Sequence, residues 1–346
     1  MRAHPVILAT FVLWIASSSA AVCCTIPVFR FALDRWESDA FRLVLPQDIA
    51  ARPEVIDLLR PLRAGGKANL DIQTARDGSI SAPCLFFPKN ESTPLWTGEF
   101  SPETLALLLD SPARQTLRSH ILAGDSVTWV LVDAATADDD ATAAHIEKRL
   151  KFLEQAAALP IQDPNDPDSQ LGPGPPLKLA FKSMRLKLTD PSEKPLISML
   201  AGPDGKVDAA SPFAAAVFAR GRVLGAWPLD ILDDAALEEA CMFLIGRCSC
   251  RVKNQNPGWD ILMNIDWENE LQQVSAQNTT VASAVPEAPP SAPERSATPE
   301  VSQIAAPAPA PSTSSQPPVP SWTLYAGAAA SLALVGAFLW LGRGSR

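Results

Sequence analysis

The chain has 346 residues, a formal net charge of -9, 33 prolines, 17 glycines, six cysteines and three histidines. That acidity argues against nucleic acid as a partner, because phosphate binding needs a dense basic surface, and six cysteines are too few to staple so long a chain without an apolar core. Histidine scarcity weighs against hydrolase triads and zinc enzymes: His4 sits in the first few residues, leaving His120 and His145. The opening Met-Arg-Ala-His-Pro, the apolar run Val6 to Ala16 and the small residues Ser17 to Ala21 predict a cleaved signal peptide over residues 1–21, since the run is shorter than the ~20 residues a span requires. Cys23 and Cys24 follow at once, which leaves a lipidated N-terminus open, although Val22 and Cys23 are poor residues just before a lipidated cysteine.

From residue 22 to about 271, strand and helix patterns take turns, which predicts an α/β class. Phe41 to Leu45 reads as a strand, Pro53 to Leu62 as a helix with a stripe through Val55, Leu58, Leu59 and Leu62, and Asn69 to Ile72 as a strand. Pro83 then leads into an apolar strand from Cys84 to Phe87, a turn at Lys89 and Asn90, a strand near Leu95 to Gly98, and a helix whose cap is Ser101 with Pro102 behind it; the serine oxygen can accept an orphan amide where proline lacks one. The second half repeats the order. Val127 to Val132 is a strand and Ala141 to Leu159 a helix; Asp138 to Asp140 lie at its start, where carboxylates suit the dipole. Leu177 to Leu188 is a long strand or a pair, and Lys194 to Leu200 a short helix. Pro212 leads into Phe213 to Phe218, a turn at Arg220 and Gly221, a strand from Val223 to Trp227 and a helix from Asp233 to Ile245. Trp227, Trp259 and Trp267 are expected to pack. Asp163 to Asp168 lacks the glycine and distal glutamate of a calcium loop and is expected to be a solvated loop.

Residues 272–321 lose apolar periodicity and fill with Ala, Pro, Ser, Thr and Glu. They are expected to stay disordered and extended, a stalk of about 3 Å per residue that reaches on the order of 100 Å. Trp322 to Leu341 carries no charge and is followed by Arg343 and Arg346. That pattern predicts a single transmembrane helix over 322–341 with a cytoplasmic tail of 342–346 and the bulk outside the cytoplasm, periplasmic in a bacterial cell. The same Pro-Val-Pro-Ser, helix and terminal arginine also resemble sorting tails that bacterial transpeptidases remove, which leaves retention of the helix open. Asn90-Glu91-Ser92 and Asn278-Thr279-Thr280 fit a glycan acceptor pattern.

The run Ser81-Ala82-Pro83-Cys84-Leu85-Phe86-Phe87-Pro88-Lys89-Asn90, then Trp96-Thr97-Gly98 and a helix, resembles the C-terminal half of a thioredoxin-like domain. Ser211-Pro212 to Phe218, Arg220-Gly221 and Val223 to Ile245 look like a second copy. The resemblance implies two tandem thioredoxin-like domains, over 22–124 and 125–271, each with a cis-proline bordering a groove that holds an extended peptide; Pro83, Cys84 and Pro212 are the groove candidates. It also implies a Cys-x-x-Cys at the start of the helix after the first strand, within Pro46 to Pro53 and Asp133 to Ala141. Neither stretch holds a cysteine, so dithiol exchange is not expected. The opening Cys24 to Trp36 is similar to the mature start of uncharacterised bacterial envelope proteins, which implies a setting and no activity.

The remaining chemistry lies with Cys241, Cys248 and Cys250 and with Cys23 and Cys24. A disulfide from Cys23 or Cys24 to the Cys248-Ser249-Cys250 run, redox exchange at that run, and soft-cation binding such as Cu(I) all fit it. No catalytic set, metal site or cofactor motif is complete. The expected function is a membrane-anchored binding or scaffold protein with an envelope protein as partner; a thiol enzyme or copper carrier using Cys248 and Cys250 is the alternative.

Overall fold

The computed structural model describes residues 25–76, 78–90, 92–162, 165–248 and 252–284. The signal, lipidation, stalk beyond residue 284, membrane span and tail expectations lie outside these, as do Cys23, Cys24 and Cys250. The fold is mixed α/β with two sheets and helices.

The first sheet is built from β1 (Phe41–Leu45), β2 (Leu70–Thr74), β3 (Cys84–Phe86) and β4 (Trp96–Thr97) in the order β2-β1-β3-β4. β1 runs parallel to β2, with Leu43 opposite Ile72, and antiparallel to β3, with Leu43 opposite Leu85. A helix α1 (Val28–Arg35) precedes β1, α2 (Gln47–Ala50) and α3 (Pro53–Gly65) cross from β1 to β2, and α4 (Pro102–Leu109) and α5 (Pro112–Leu122) follow β4. Ser101 caps α4 as expected, its hydroxyl accepting the Thr104 N–H at 3.2 Å. That helix stops at Leu109 because Pro112 disfavours helical geometry in the residue before it. Ser111 then caps a new helix by accepting the Arg114 N–H.

The second sheet has the order β6-β5-β7-β8-β9, from β5 (Val127–Asp133), β6 (Phe181–Lys187), β7 (Phe213–Phe218), β8 (Arg222–Pro228) and β9 (Trp259–Asp260). β5 and β6 are parallel; β5/β7, β7/β8 and β8/β9 are antiparallel. Every residue of β5 and β7 is buried, which accounts for their unbroken apolar runs: strands covered on both faces do not alternate. α6 (Ala137–Ala156) crosses from β5 to β6, α7 (Lys194–Ala201) lies between β6 and β7, α8 (Asp234–Ile245) follows β8, and α9 (Trp267–Ala284) ends the described chain. α6 begins four residues before the expected start, because Thr136 and Asp139 form a reciprocal capping box. Asp233 caps α8 by accepting from Ala236 N–H.

Two expectations are corrected. Residues 272–284, read as the start of an unpacked stalk, are helical: Leu271 is buried and Glu270 reaches Arg118, so α9 is anchored at its start and propagates past the last apolar contact. The cis peptides implied before Pro83 and Pro212 are absent, no cis bond occurring among the described residues, in keeping with the trans preference of about 0.5–1 kcal/mol for an X-Pro bond.

The two sheets share one continuous apolar core within a single compact unit. The strap after β9 joins them. Ile261 N–H donates to Gly221 O at the second sheet, while Asn69 beside the first sheet donates to Ile261 O and accepts from Met263 N–H. The N-terminal segment is tied down in the same way: Cys248 N–H donates to Ile26 O, Val28 N–H to Gly246 O, and Pro27 bridges Arg247 in antiparallel sense. Among the described residues no helix is long and apolar enough to cross a membrane.

Candidate functional site

The turn from β5 into α6 holds its backbone in a constrained conformation. Ala135 takes φ 60, a left-handed conformation uncommon for a residue with a Cβ. It is held there by Asp133, whose buried carboxylate accepts the Ala135 N–H at 2.9 Å and pairs with Arg185 at 2.7 Å. Hydrogen bonds to Asp133 and then Asp140 hold the Arg185 guanidinium above its usual range.

Beyond this loop, Ser211 and Pro212 lie at the entry to β7 and Pro228 to Asp230 at the exit of β8. With the start of α6 and the Lys206 to Asp208 loop they enclose a groove of about 580 Å³. Its floor is apolar, from Val207, Pro212, Pro228 and Leu229; its rim carries Asp138, Asp139, Asp208 and Asp230 against one cation, Lys206, which is paired to Asp204 at 2.6 Å. Hydrogen bonds from the Thr136 backbone and side chain lower the Asp139 pKa, and those from Ala210 and Ser211 lower that of Asp208. A second recess, of about 630 Å³, is also lined by Asp208, with Leu188, Asp190, Lys194 and Ile197. Of the three groove candidates from sequence, Pro212 lines the first groove, of about 580 Å³. Pro83 and Cys84 are buried, and the Cys84 thiol donates to Ala82 O at 3.2 Å with Thr97 Oγ1 at 3.5 Å.

The structure places the cysteines with equal clarity where they are described. Cys241 is fully buried in α8, and burial pushes its thiol up to about 12, with the Trp129 indole pulling the other way. Trp129 Nε1 itself is buried without a hydrogen-bond partner of ordinary geometry, so its pull on the thiol is weak and burial dominates. Cys248 is 2 % exposed beside Ile26. His145 Nε2 lies 2.8 Å from Asp234 Oδ1 on the exposed seam between α6 and α8, and His120 Nδ1 lies 3.2 Å from Thr128 Oγ1. Among the described residues no group of three or more His, Cys, Asp or Glu side chains could hold a metal ion.

A smaller cavity of about 320 Å³ lies where the two sheets meet, between Phe87, Lys89 and Trp259 and above Arg222 and Asp260. Its charges are mutually engaged. Arg222 pairs with Asp260 at 3.1 Å, Lys253 with Asp260 and, at 3.3 Å, with Asp39, and Lys89 with Asp39 at 3.5 Å. That arrangement seals a joint.

The groove carboxylates were visible in the sequence only as helix-start residues. Asp208 and Asp230 gave no periodic signal at all, because they sit in loops that meet Asp138 only after the sheet has formed. Comparison with known protein families finds no family model that matches the chain, and comparison with curated proteins finds no match.

Proposed function

We propose that the chain is a membrane-tethered, extracytoplasmic binding or scaffold protein whose body is two tandem thioredoxin-like units without a catalytic dithiol. The observation that carries the reading is the repeated strand plan. The order β2-β1-β3-β4, with its first pair parallel and the others antiparallel, recurs as β6-β5-β7-β8. In each repeat a helical crossover joins the parallel pair and a helix follows the hairpin. This is the plan of a thioredoxin-like domain, and the loops after β1 and β5, where such a domain keeps its reactive thiols, hold Pro46 and Ala134 to Thr136. Binding without exchange is what remains when the groove persists and the thiols do not. Fold analogy alone does not determine function, so the weight falls on the groove beside Pro212.

The signal over 1–21, the stalk and the span over 322–341 supply the export and the tether in this reading, and an envelope protein supplies the partner. The alternative, a thiol enzyme or copper carrier using Cys248 and Cys250, finds less support. Cys248 is buried, and burial holds the Cys241 thiol in its neutral form.

A photocrosslinker introduced at Thr142 of the full chain in its native envelope tests the proposal. Discrete protein adducts, not formed from the same group at Ile56 on α3, are expected. Adducts that dissolve on reduction and accumulate in a Cys250→Ala chain would transfer the function to the thiols, and copper lost on double substitution of Cys248 and Cys250 would make it a carrier.

A further inference from the structure

We infer that the groove beside Pro212 is built for a cationic extended segment, one presenting lysine or arginine side chains from a peptide laid across an apolar floor. This deepens the proposed binding role and rests on it. The shape comes from Val207, Pro212 and Leu229, which offer apolar surface without a deep pit. Two cavities, of about 580 Å³ and about 630 Å³, that share Asp208 in their linings suit an extended chain that touches both better than a compact molecule, since sites for small ligands bury most of the ligand in one chamber of ~300–1,000 Å³.

Charge selects the occupant. The two recesses present Asp138, Asp139, Asp190, Asp208 and Asp230 against Lys194 and Lys206, and the Lys206 ammonium is already held by Asp204. The hydrogen bonds that lower the Asp139, Asp190 and Asp208 pKa values keep those carboxylates ionised at neutral and mildly acidic pH. The aspartates at the start of α6 more than offset the positive end of that helix, worth roughly half an elementary charge, so an anionic segment would be repelled. The Asp138 and Asp230 side chains make neither an ion pair nor a hydrogen bond among the described residues. They come from separate segments, α6 and the stretch after β8, and line the same groove as its apolar residues. Carboxylates left without structural work along an apolar trough suit recognition of a row of cations.

The test uses the full chain and short labelled peptides alternating alanine with lysine, serine or glutamate. The lysine peptide is expected to bind at least about tenfold more tightly than the serine peptide and to weaken steeply with added salt. The Asp138→Asn/Asp230→Asn variant should lose most of that difference while unfolding at the temperature of the parent. An Asp48→Asn/Glu54→Gln variant makes the same charge change on α2 and α3 and should bind as the parent does, which separates the groove from general attraction to an acidic protein. Equal binding of the lysine and serine peptides, or a lysine preference that survives Asp138→Asn/Asp230→Asn, overturns the inference. In that event crosslinking of the serine peptide to a probe at Thr142 would show that the groove reading still stands, and failure of every peptide to reach Thr142 would remove both.

Discussion

The carboxylate of Glu193, at the start of α7, accepts the backbone N–H of Ala113 at 2.8 Å, so a residue from the second half of the chain caps α5, a helix of the first half. Beside this bond Arg114 is buried, its guanidinium donating to Leu262 O, Leu107 O and Ser111 Oγ. Burial lowers the Arg114 pKa to about 10, while Glu193 and then Asp110 oppose the shift. The charge is retained at neutral pH because its desolvation is met by three oxygens and a nearby carboxylate. Glu193→Ala removes both the cap and the countercharge, and is expected to cost about 3 kcal/mol. Glu193→Gln keeps an acceptor for the amide and loses only the charge, so its cost should be smaller by at least about 1 kcal/mol. Urea denaturation of the two variants checks the order; equal losses would mean that the charge on Glu193 is immaterial.

Arg222 does comparable work at the strap. It pairs with Asp260, stacks over the Trp36 ring at 5.4 Å and donates from one nitrogen to Asn256 O, Pro257 O and Gly258 O. A planar fork can serve a carboxylate and a turn at once, and a point ammonium cannot. Arg222→Lys is therefore expected to destabilise by about 2–4 kcal/mol, with amide exchange accelerating first in residues 256–265. Uniform acceleration throughout the protein would argue against a local role for this arginine.

How much of this was legible beforehand follows from where the signals came from. Ser101, Asp233 and the Arg220-Gly221 turn act within a few residues, so the sequence displays them and the structure repeats them. The α1 helix escaped notice because Val28 to Leu33 are all buried, and a helix covered on every side has no polar face to mark its period. β9 and the strap escaped because two-residue pairings such as Val223 with Trp259 are fixed by partners far away in the chain. The groove is a product of the same long-range assembly: Pro212 announces itself as a strand start, but the carboxylates facing it belong to three other segments.

Cys241 gives a pH dependence with a definite sign. Its folded pKa is raised from 9.0 to about 12, so above pH 9 the unfolded chain releases a proton that the folded chain keeps. The contribution of this group is fully present below about pH 9 and declines as pH rises toward about 12. At pH 10.5 the loss is about 2 kcal/mol at ~1.4 kcal/mol per pH unit. Cys241→Ala abolishes this slope while opening a small cavity, so the variant is less stable than the parent at pH 8 and closer to it at pH 10.5. Denaturant midpoints at the two pH values measure it, and a gap that does not narrow would refute the burial account of this thiol.

The last expectation concerns Cys24 and Cys250, which lie outside the described residues. Cys248 N–H donates to Ile26 O, and Pro27 lies opposite Arg247 in an antiparallel bridge. Cys24 lies two residues before Ile26 in the sequence and Cys250 two residues after Cys248, equal distances along the chain from the same bridge. In protein recovered from an oxidising compartment, peptide mapping without reduction is expected to find Cys24 joined to Cys250, with Cys84 and Cys241 alkylated only after unfolding. Such a bridge closes a loop spanning nearly the whole folded body, for which chain entropy sets an upper contribution of about 5 kcal/mol. Reduction should therefore lower the melting temperature of the parent and leave that of Cys250→Ala unchanged. Two outcomes distinguish the alternatives: Cys24 joined to Cys248 would mean that the pairing shifts register beyond Ile26, and Cys24 and Cys250 both modified in the native, unreduced protein would remove the clasp altogether. In the second case the N-terminal segment would depend on the Arg30 and Asp34 pair, 2.9 Å apart and buried under Gly172, and Asp34→Asn should then release it.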